Sequence, residues 1–584
     1  MMQRARHRAV LGPAIAAGLA LAAACSGPSG PAGAEETNRS GSKAIGPSDA
    51  AELVLLGGDV ITMSPERPRA QALAVRDGMI AAVGSDGDVR ALIGPATRII
   101  ELGGRSVTPG LVDGHCHLYG LGGALDSVSL RGMTSATAAA HAVAKAADGR
   151  PSGEWIVGRG WDQNLWTPAQ FPHHSVLDAV VPDHPVAVRR IDGHALWANR
   201  AAMTMAGITR TTADPPGGRI VRDERGEATG VFIDTAMPLI EKHIPEPPAA
   251  VRRRRILQAA AMAVQSGLTG VHEMGIDATT AAVYRELAER GELPLRVDAY
   301  MSRPELLSDL SAPGRGGQAR RSDSFFRVRG VKLYADGALG SRGAAMLAPY
   351  SDAPQLTGNT LLNADEIARV ATQLTGDGWQ LAIHAIGDAA NRAVLDGYQV
   401  TLRERQGDDL RLRIEHAQIV APADLPRFAA LGVLASMQPT HATSDMPWAE
   451  ARVGAERIRG AYAWRTLLAS GARIVSGSDF PVEEVSPLLG LYAAVTRSDL
   501  AGQPPAGWYP EQRMTLDEAV KTFTIDAAYA VFAEDRRGRL QPGYAADITV
   551  YDRALSADMS LLQTQIDLTV VGGRVVHERP RSAR

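Results

Sequence analysis

Cysteine and lysine are scarce in this 584-residue chain. There are two cysteines, Cys25 and Cys116, and five lysines, at positions 43, 145, 242, 332 and 521. Two cysteines, one near the N-terminus and one inside an apolar run, exclude a disulfide framework. Neither sign of charge dominates: 61 basic and 64 acidic residues leave a net charge of −3, without the one-signed field that draws nucleic acid or an acidic surface. Nearly all the cations are arginines, which sets Lys332 apart, because a primary amine forms a stable carbamate with carbon dioxide and a guanidinium does not. Long hydrophobic runs are missing as well. The longest, Ala9 to Ala24, is short for a membrane span.

That run has the features of a targeting signal. Arg4, Arg6 and Arg8 precede it, and Ala22-Ala23-Ala24 lead into Cys25. The segment resembles a bacterial lipoprotein leader with Cys25 as the lipidated residue, although Leu21 stands one position earlier than such leaders usually have it. A plain signal peptide cut near Ala24 is the other reading. Both predict export, to the cell envelope through a lipid anchor at Cys25 or to the periplasm or the exterior. Residues 26–50, rich in Ser, Gly and Pro, read as a flexible tether.

From Glu52 short apolar runs alternate with turns, and Asp77-Gly78 between two of them is a hairpin signal. The C-terminus returns to this style in Asp547 to Tyr551 and Leu568 to Val576. Residues 51–108 and 537–584 are therefore expected to form one β-sandwich from both ends of the chain. Residues 109–536 alternate strand-like runs with amphipathic helical patterns, the signature of a (β/α)8 TIM barrel in the α/β class. Eight strands are predicted to end near His115, His272, Tyr300, Lys332, His384, His416, Gln438 and Asp479. The interval after the first is too long for one helix, so about 120–260 is read as an insertion that carries a hairpin at Gly218 to Gly226 and covers the catalytic face.

The most informative motif is His115-Cys116-His117, where an apolar run turns polar. Residues two apart on a strand share a face, so both imidazoles can grip one metal ion, while Cys116 points away into packing. Lys332, His384, His416 and Asp479 each close another apolar run. A buried unpaired ammonium is costly, so Lys332 must be paired, neutral or modified. A lone His at a strand end is usually structural. Five such coincidences at successive strand ends point instead to one shared metal site.

These motifs resemble the amidohydrolase superfamily, within it the amidohydrolase family 3 branch that includes N-substituted formamide deformylase-like metal-dependent hydrolases. The resemblance runs from about Glu52 to His577. It rests on Thr108 to His117, Gly160-Trp161-Asp162, Lys332 to Arg342, Ile383 to Asp388, Ile414 to Gln418, Gly477 to Val482 and Leu540 to Asp547. It implies a barrel with a flanking β-sandwich and one or two divalent metal ions, usually zinc. It further implies that His115, His117 and Asp479 hold the more buried metal, that His384 and His416 hold a second, and that a carboxylated Lys332 bridges them. A free Lys332 with one metal is the variant reading. Trp161, Asp162, His194, His272, Asp336, Arg342 and His441 are candidate substrate-pocket residues.

The expected function is hydrolysis of a C–N bond, in an amide, formamide or cyclic amide of a small molecule. Metal-activated hydroxide attacks, and Asp479 shuttles the proton. An ester or lactone hydrolase, an isomerase on the same metals, or a non-catalytic envelope lipoprotein are the alternatives. The expected partner is the small-molecule substrate, with no nucleic acid and with a membrane only through Cys25. An oligomer is compatible with the sequence.

Overall fold

The computed structural model describes residues 50–191, 193, 195–307 and 324–580. The leader, Cys25 and His194 lie outside them. Among the described residues no helix is long and apolar enough to cross a membrane.

Eight parallel strands form the central sheet: β1 (Leu111–Cys116), β2 (Leu268–Ile276), β3 (Arg296–Met301), β4 (Phe326–Tyr334), β5 (Gln380–Ala385), β6 (Arg413–His416), β7 (Leu434–Met437) and β8 (Ile474–Ser476). Each pairs with its neighbour in chain order. The ends meet just past β8, where Asp479 N donates to His115 O at 2.8 Å and His117 N to Phe480 O at 2.8 Å. This is the (β/α)8 barrel that the alternating pattern predicts.

Glycine lets the backbones approach at two points. A Cβ on Gly114 would stand 2.4 Å from Val475 Cγ1 at the closing seam, and one on Gly330 would stand 1.7 Å from the Gln380 carbonyl oxygen, between β4 and β5. The strands are apolar and buried on both faces, as a sheet covered by helices requires. The barrel interior nevertheless holds a polar layer. Arg413 bonds to Glu415, to Ser436 Oγ and to His272 Nδ1 within it, and Tyr300 donates to Gln380 Oε1 at 2.7 Å.

Two sheets built from the chain ends flank the barrel. One runs Arg574–Glu578, Ile566–Val571, Ile548–Tyr551, Ser106–Pro109, Asp59–Ile61 and Arg69–Ala70, three strands from each end of the chain. The other runs Met79–Gly84, Ala72–Arg76, Leu53–Leu56 and Arg98–Glu101. Their facing side chains, Leu55, Leu73 and Val75 against Val107, Ile548 and Val570, share one apolar core. The hairpin at Asp77-Gly78 has positive φ at both residues, 51° and 75°, the geometry Asp-Gly favours.

After β1 the chain forms α1 (Leu118–Asp126) and then a separate six-stranded sheet within residues 128–234, before α2 (Ala249–Gln265) returns it to β2. Strands Gly218–Arg222 and Ala228–Asp234 of that sheet form the hairpin read from the sequence.

Candidate metal centre and its cavity

The loops at the C-terminal ends of the barrel strands enclose a cavity of about 820 Å³. His115, His117, Lys332, His384, His416 and Asp479 all face it. Apart from the His115–His117 pair the side chains are far apart in sequence, and the order of the strands brings them together.

His115 is the last residue but one of β1, whereas His117 has already left the strand and stands at the N-terminus of α1. The pair still converges. His115 Nε2 lies 3.4 Å and His117 Nε2 3.1 Å from Asp479 Oδ1. Each ring is oriented through its other nitrogen: His115 Nδ1 is 2.5 Å from Glu415 Oε2, and His117 Nδ1 is 2.9 Å from the Met274 carbonyl. A carboxylate or carbonyl behind the ring is the usual way to aim Nε2 at a metal. Glu415 is itself gripped by Arg413, at 2.7 and 3.0 Å. Burial alone would raise the Glu415 carboxyl, but Arg413 and His115 hold it well below the usual carboxylate range.

Asp479 sits on a left-handed backbone, φ 62°, and His416 likewise at 72°, a costly conformation for residues with a Cβ. Asp113 holds the Asp479 loop in place. Its carboxylate accepts from Ser478 N at 3.1 Å, from Ser478 Oγ at 2.6 Å and from His115 N at 3.1 Å. His416 Nδ1 lies 2.8 Å from Gln438 Oε1, and its ring stacks on His441 with centroids 5.9 Å apart.

A cation fits this donor set. The buried His115 Nε2, His441 Nε2 and Asp479 Oδ1 make no hydrogen bond. Such orphaned polar atoms are rare unless something else satisfies them. Imidazole nitrogen and carboxylate oxygen are the donors Zn²⁺ takes. Two compact groups emerge, each with ligand atoms within 4.8 Å of one another: His115, His117 and Asp479, and His416, His441 and Asp479. The first is the expected set. The second has His441 where His384 was expected. His384 Nε2 lies 3.4 Å from the Gly337 carbonyl and 3.4 Å from Asp336 Oδ1, though its ring is only 4.5 Å from that of His416.

Lys332 is 1% exposed and makes no hydrogen bond or ion pair among the described residues. Its Nζ lies 4.8 Å from the Tyr334 ring centroid. Burial pushes the amine down to about 8, which leaves a neutral fraction at physiological pH.

The remaining candidates divide. Asp162 lines the cavity and pairs with Arg190 at 2.7 Å. His441 lines it as well. Four expectations are corrected. Trp161 is fully buried in the inserted domain and donates to the Val188 carbonyl at 2.8 Å, so it packs that core. His272 lies inside the barrel, where Arg413 Nη1 is 2.9 Å from its Nδ1. Asp336 spends its oxygens on the backbone amides of Ala345, Ile386 and Gly387 and fixes loops around the cavity. Arg342 forms a two-pronged pair with Asp352, at 3.0 and 2.9 Å, and does not line the cavity. Cys116 packs in the barrel core, as expected.

Sequence reasoning assigned no role to Glu415, Gln438 or Arg190. Arg413 and Glu415 did carry a signal: opposite charges two apart in a short apolar strand must share a face and pair.

The comparisons agree with this geometry. Residues 98–577 match the model of the amidohydrolase family. YtcJ of Bacillus subtilis (strain 168) is 33% identical over 545 residues, 90% of this chain and 99% of that one. N-substituted formamide deformylase of Arthrobacter pascens is 28% identical over 546 residues, 91% of this chain and 99% of the relative. A solved structure of an uncharacterized metal-dependent hydrolase from Pyrococcus furiosus superposes with a TM-score of 0.70 at 29% identity, covering 86% of this chain and 99% of that one. The chain belongs to the amidohydrolase family.

Proposed function

We propose that the protein hydrolyses a C–N bond of a small amide, formamide or cyclic amide, with one or two divalent metal ions, zinc first among them. The observation that carries this reading is the convergence on the cavity of His115 Nε2, His117 Nε2 and Asp479 Oδ1, the first and last of them buried without a hydrogen bond.

When bound, the cation supplies Lewis acidity, polarising a carbonyl and lowering the pKa of a water from 15.7 to about 7. His115, His117 and Asp479 would hold it, and His416 with His441 or His384 would hold a second. Glu415, the Met274 carbonyl and Gln438 keep the imidazoles aimed. Asp479 Oδ2, left over when Oδ1 faces the His115–His117 pair, accepts the proton of the attacking water and returns it to the leaving nitrogen. Lys332 adds carbon dioxide at its neutral Nζ, releasing one proton and giving an anion that offsets repulsion between two cations.

The test is metal analysis of the native protein with turnover on matched amides and esters. Bound metal with amide hydrolysis is expected. A protein free of metal after purification without chelator, or one that cleaves only esters, refutes the reading. Asp479→Asn should keep much of its metal and lose about 10²–10⁴-fold in kcat.

A further inference from the structure

Beyond the candidate ligand His441, the cavity wall carries a carboxylate that the mechanism leaves unused. Asp445 ends the helix α3 (Pro439–Asp445), one turn beyond His441, and both side chains line the cavity. Its Oδ2 accepts two protein donors, Tyr462 OH at 2.6 Å and Gln418 Nε2 at 2.9 Å. Gln418 Nε2 also lies 2.6 Å from Tyr462 OH. Oδ1 makes no hydrogen bond to the described residues.

The support behind Asp445 is stiff. Gln418 is 4% and Tyr462 2% exposed. The Tyr462 amide donates to the Gln418 carbonyl at 2.9 Å, and Arg497 Nη1 donates to the Tyr462 carbonyl at 3.0 Å. Tyr462 is held on a left-handed backbone at φ 48°. Two buried polar side chains therefore fix one face of a carboxylate whose other face meets the cavity.

No cation pairs with Asp445 among the described residues. The arginines that line the cavity are committed elsewhere: Arg190 to Asp162 and Arg452 to Asp352. Glu483, also on the wall, adds a second negative charge near Asp445. The His441 imidazole one turn back opposes Glu483, but a carboxylate with a free oxygen and no ion pair among the described residues still favours a ligand that brings a donor. The neighbouring wall is apolar and aromatic, with Tyr334, Leu339, Ile386, Trp448 and Val482, which suits the hydrocarbon part of such a ligand.

We infer that Asp445 is the specificity-determining residue of the cavity, and that the preferred substrate carries an ammonium or N–H donor on the substituent away from the scissile bond. This rests on the hydrolase reading for the word substrate, but the recognition can be tested without turnover. The probes are N-(aminoalkyl)formamides with two to six methylenes and the corresponding N-alkylformamides, titrated calorimetrically into the metal-loaded protein.

Wild type is expected to bind at least one aminoalkyl compound about tenfold or more tightly than its alkyl counterpart. In Asp445→Asn, with a melting curve to show that it is folded, that ratio should fall towards one. Equal wild-type affinities across the series overturn the inference, as does an Asp445→Asn variant that keeps the full ratio. Tight, Asp445-dependent binding without hydrolysis of any probe would support recognition and count against amide cleavage alone, so the two readings fail separately.

Discussion

Glu415 offers no atom to the cavity, yet the aim of His115 depends on it. The same carboxylate neutralises Arg413, which is entirely enclosed in the barrel. Glu415→Gln should therefore fail twice. Metal affinity should fall about 10–100-fold, read by competition with a chromophoric chelator. Stability should fall by about 3–5 kcal/mol, because an unpaired guanidinium is left buried. A variant with wild-type metal affinity would show that the Met274 and Asp479 contacts suffice to organise the pair. His272 sets a pH dependence in the same polar layer. Burial, with Arg413 beside it, pushes its imidazole down to about 3, against about 6.5 in the unfolded chain. The unfolded state then binds the extra proton, so this contribution is complete above pH 6.5 and is lost as pH falls towards 3. His272→Asn should flatten the decline of Tm across that window. An unchanged slope would mean that His272 does not contribute.

At the scale of elements, the strands were legible because both of their faces are buried. Such strands appear in sequence as short apolar runs, and the polar residue ending each run marks where the backbone emerges. His416 ends β6 as expected, while β2 continues beyond His272 to Ile276. That difference explains the His272 correction: His272 stands four residues short of its strand end and so lies deep in the barrel, whereas Lys332, two short of its own, still reaches the cavity. The inserted sheet was less legible. Its strands are short or interrupted by glycine, as in Ile156–Trp161 with Gly158 and Gly160, so neither periodicity persists. The approach of His441 to His416 and Asp479, beside the expected His384, could not be read from strand ends, because His441 stands on α3 and not on a strand. Close packing between strands gives a further expectation. Gly330→Ala places a methyl group against the Gln380 carbonyl, and β4 and β5 cannot pair in register around it. The variant should melt well below wild type or accumulate as insoluble protein, whereas Gly103→Ala, with nothing within 4 Å of its new Cβ but a backbone at φ 61°, should show only a small loss in the same melting assay.

For the whole molecule, the barrel cannot be separated from its flanking sheets. Arg296, on β3, bonds to Asp547 at 2.8 Å, and the Thr549 hydroxyl donates to the Gly267 carbonyl at 2.8 Å just before β2. A chain ended at Ala546 loses Asp547 and three of the six strands in the mixed sheet. It should give no cooperative melting transition, even though every cavity residue is retained. A sharp transition would show that the barrel stands alone.

That mixed sheet also imposes an order of events. Its first three strands precede the barrel and its last three follow it, so a nascent chain carries an unmatched β edge for as long as the barrel is being made. Until Ile548–Tyr551 is made, Ser106–Pro109 has backbone groups on one side that only that strand can satisfy. The interval between the two halves is the period in which this protein is most exposed to pairing with a stranger, and the period in which a holdase would matter most.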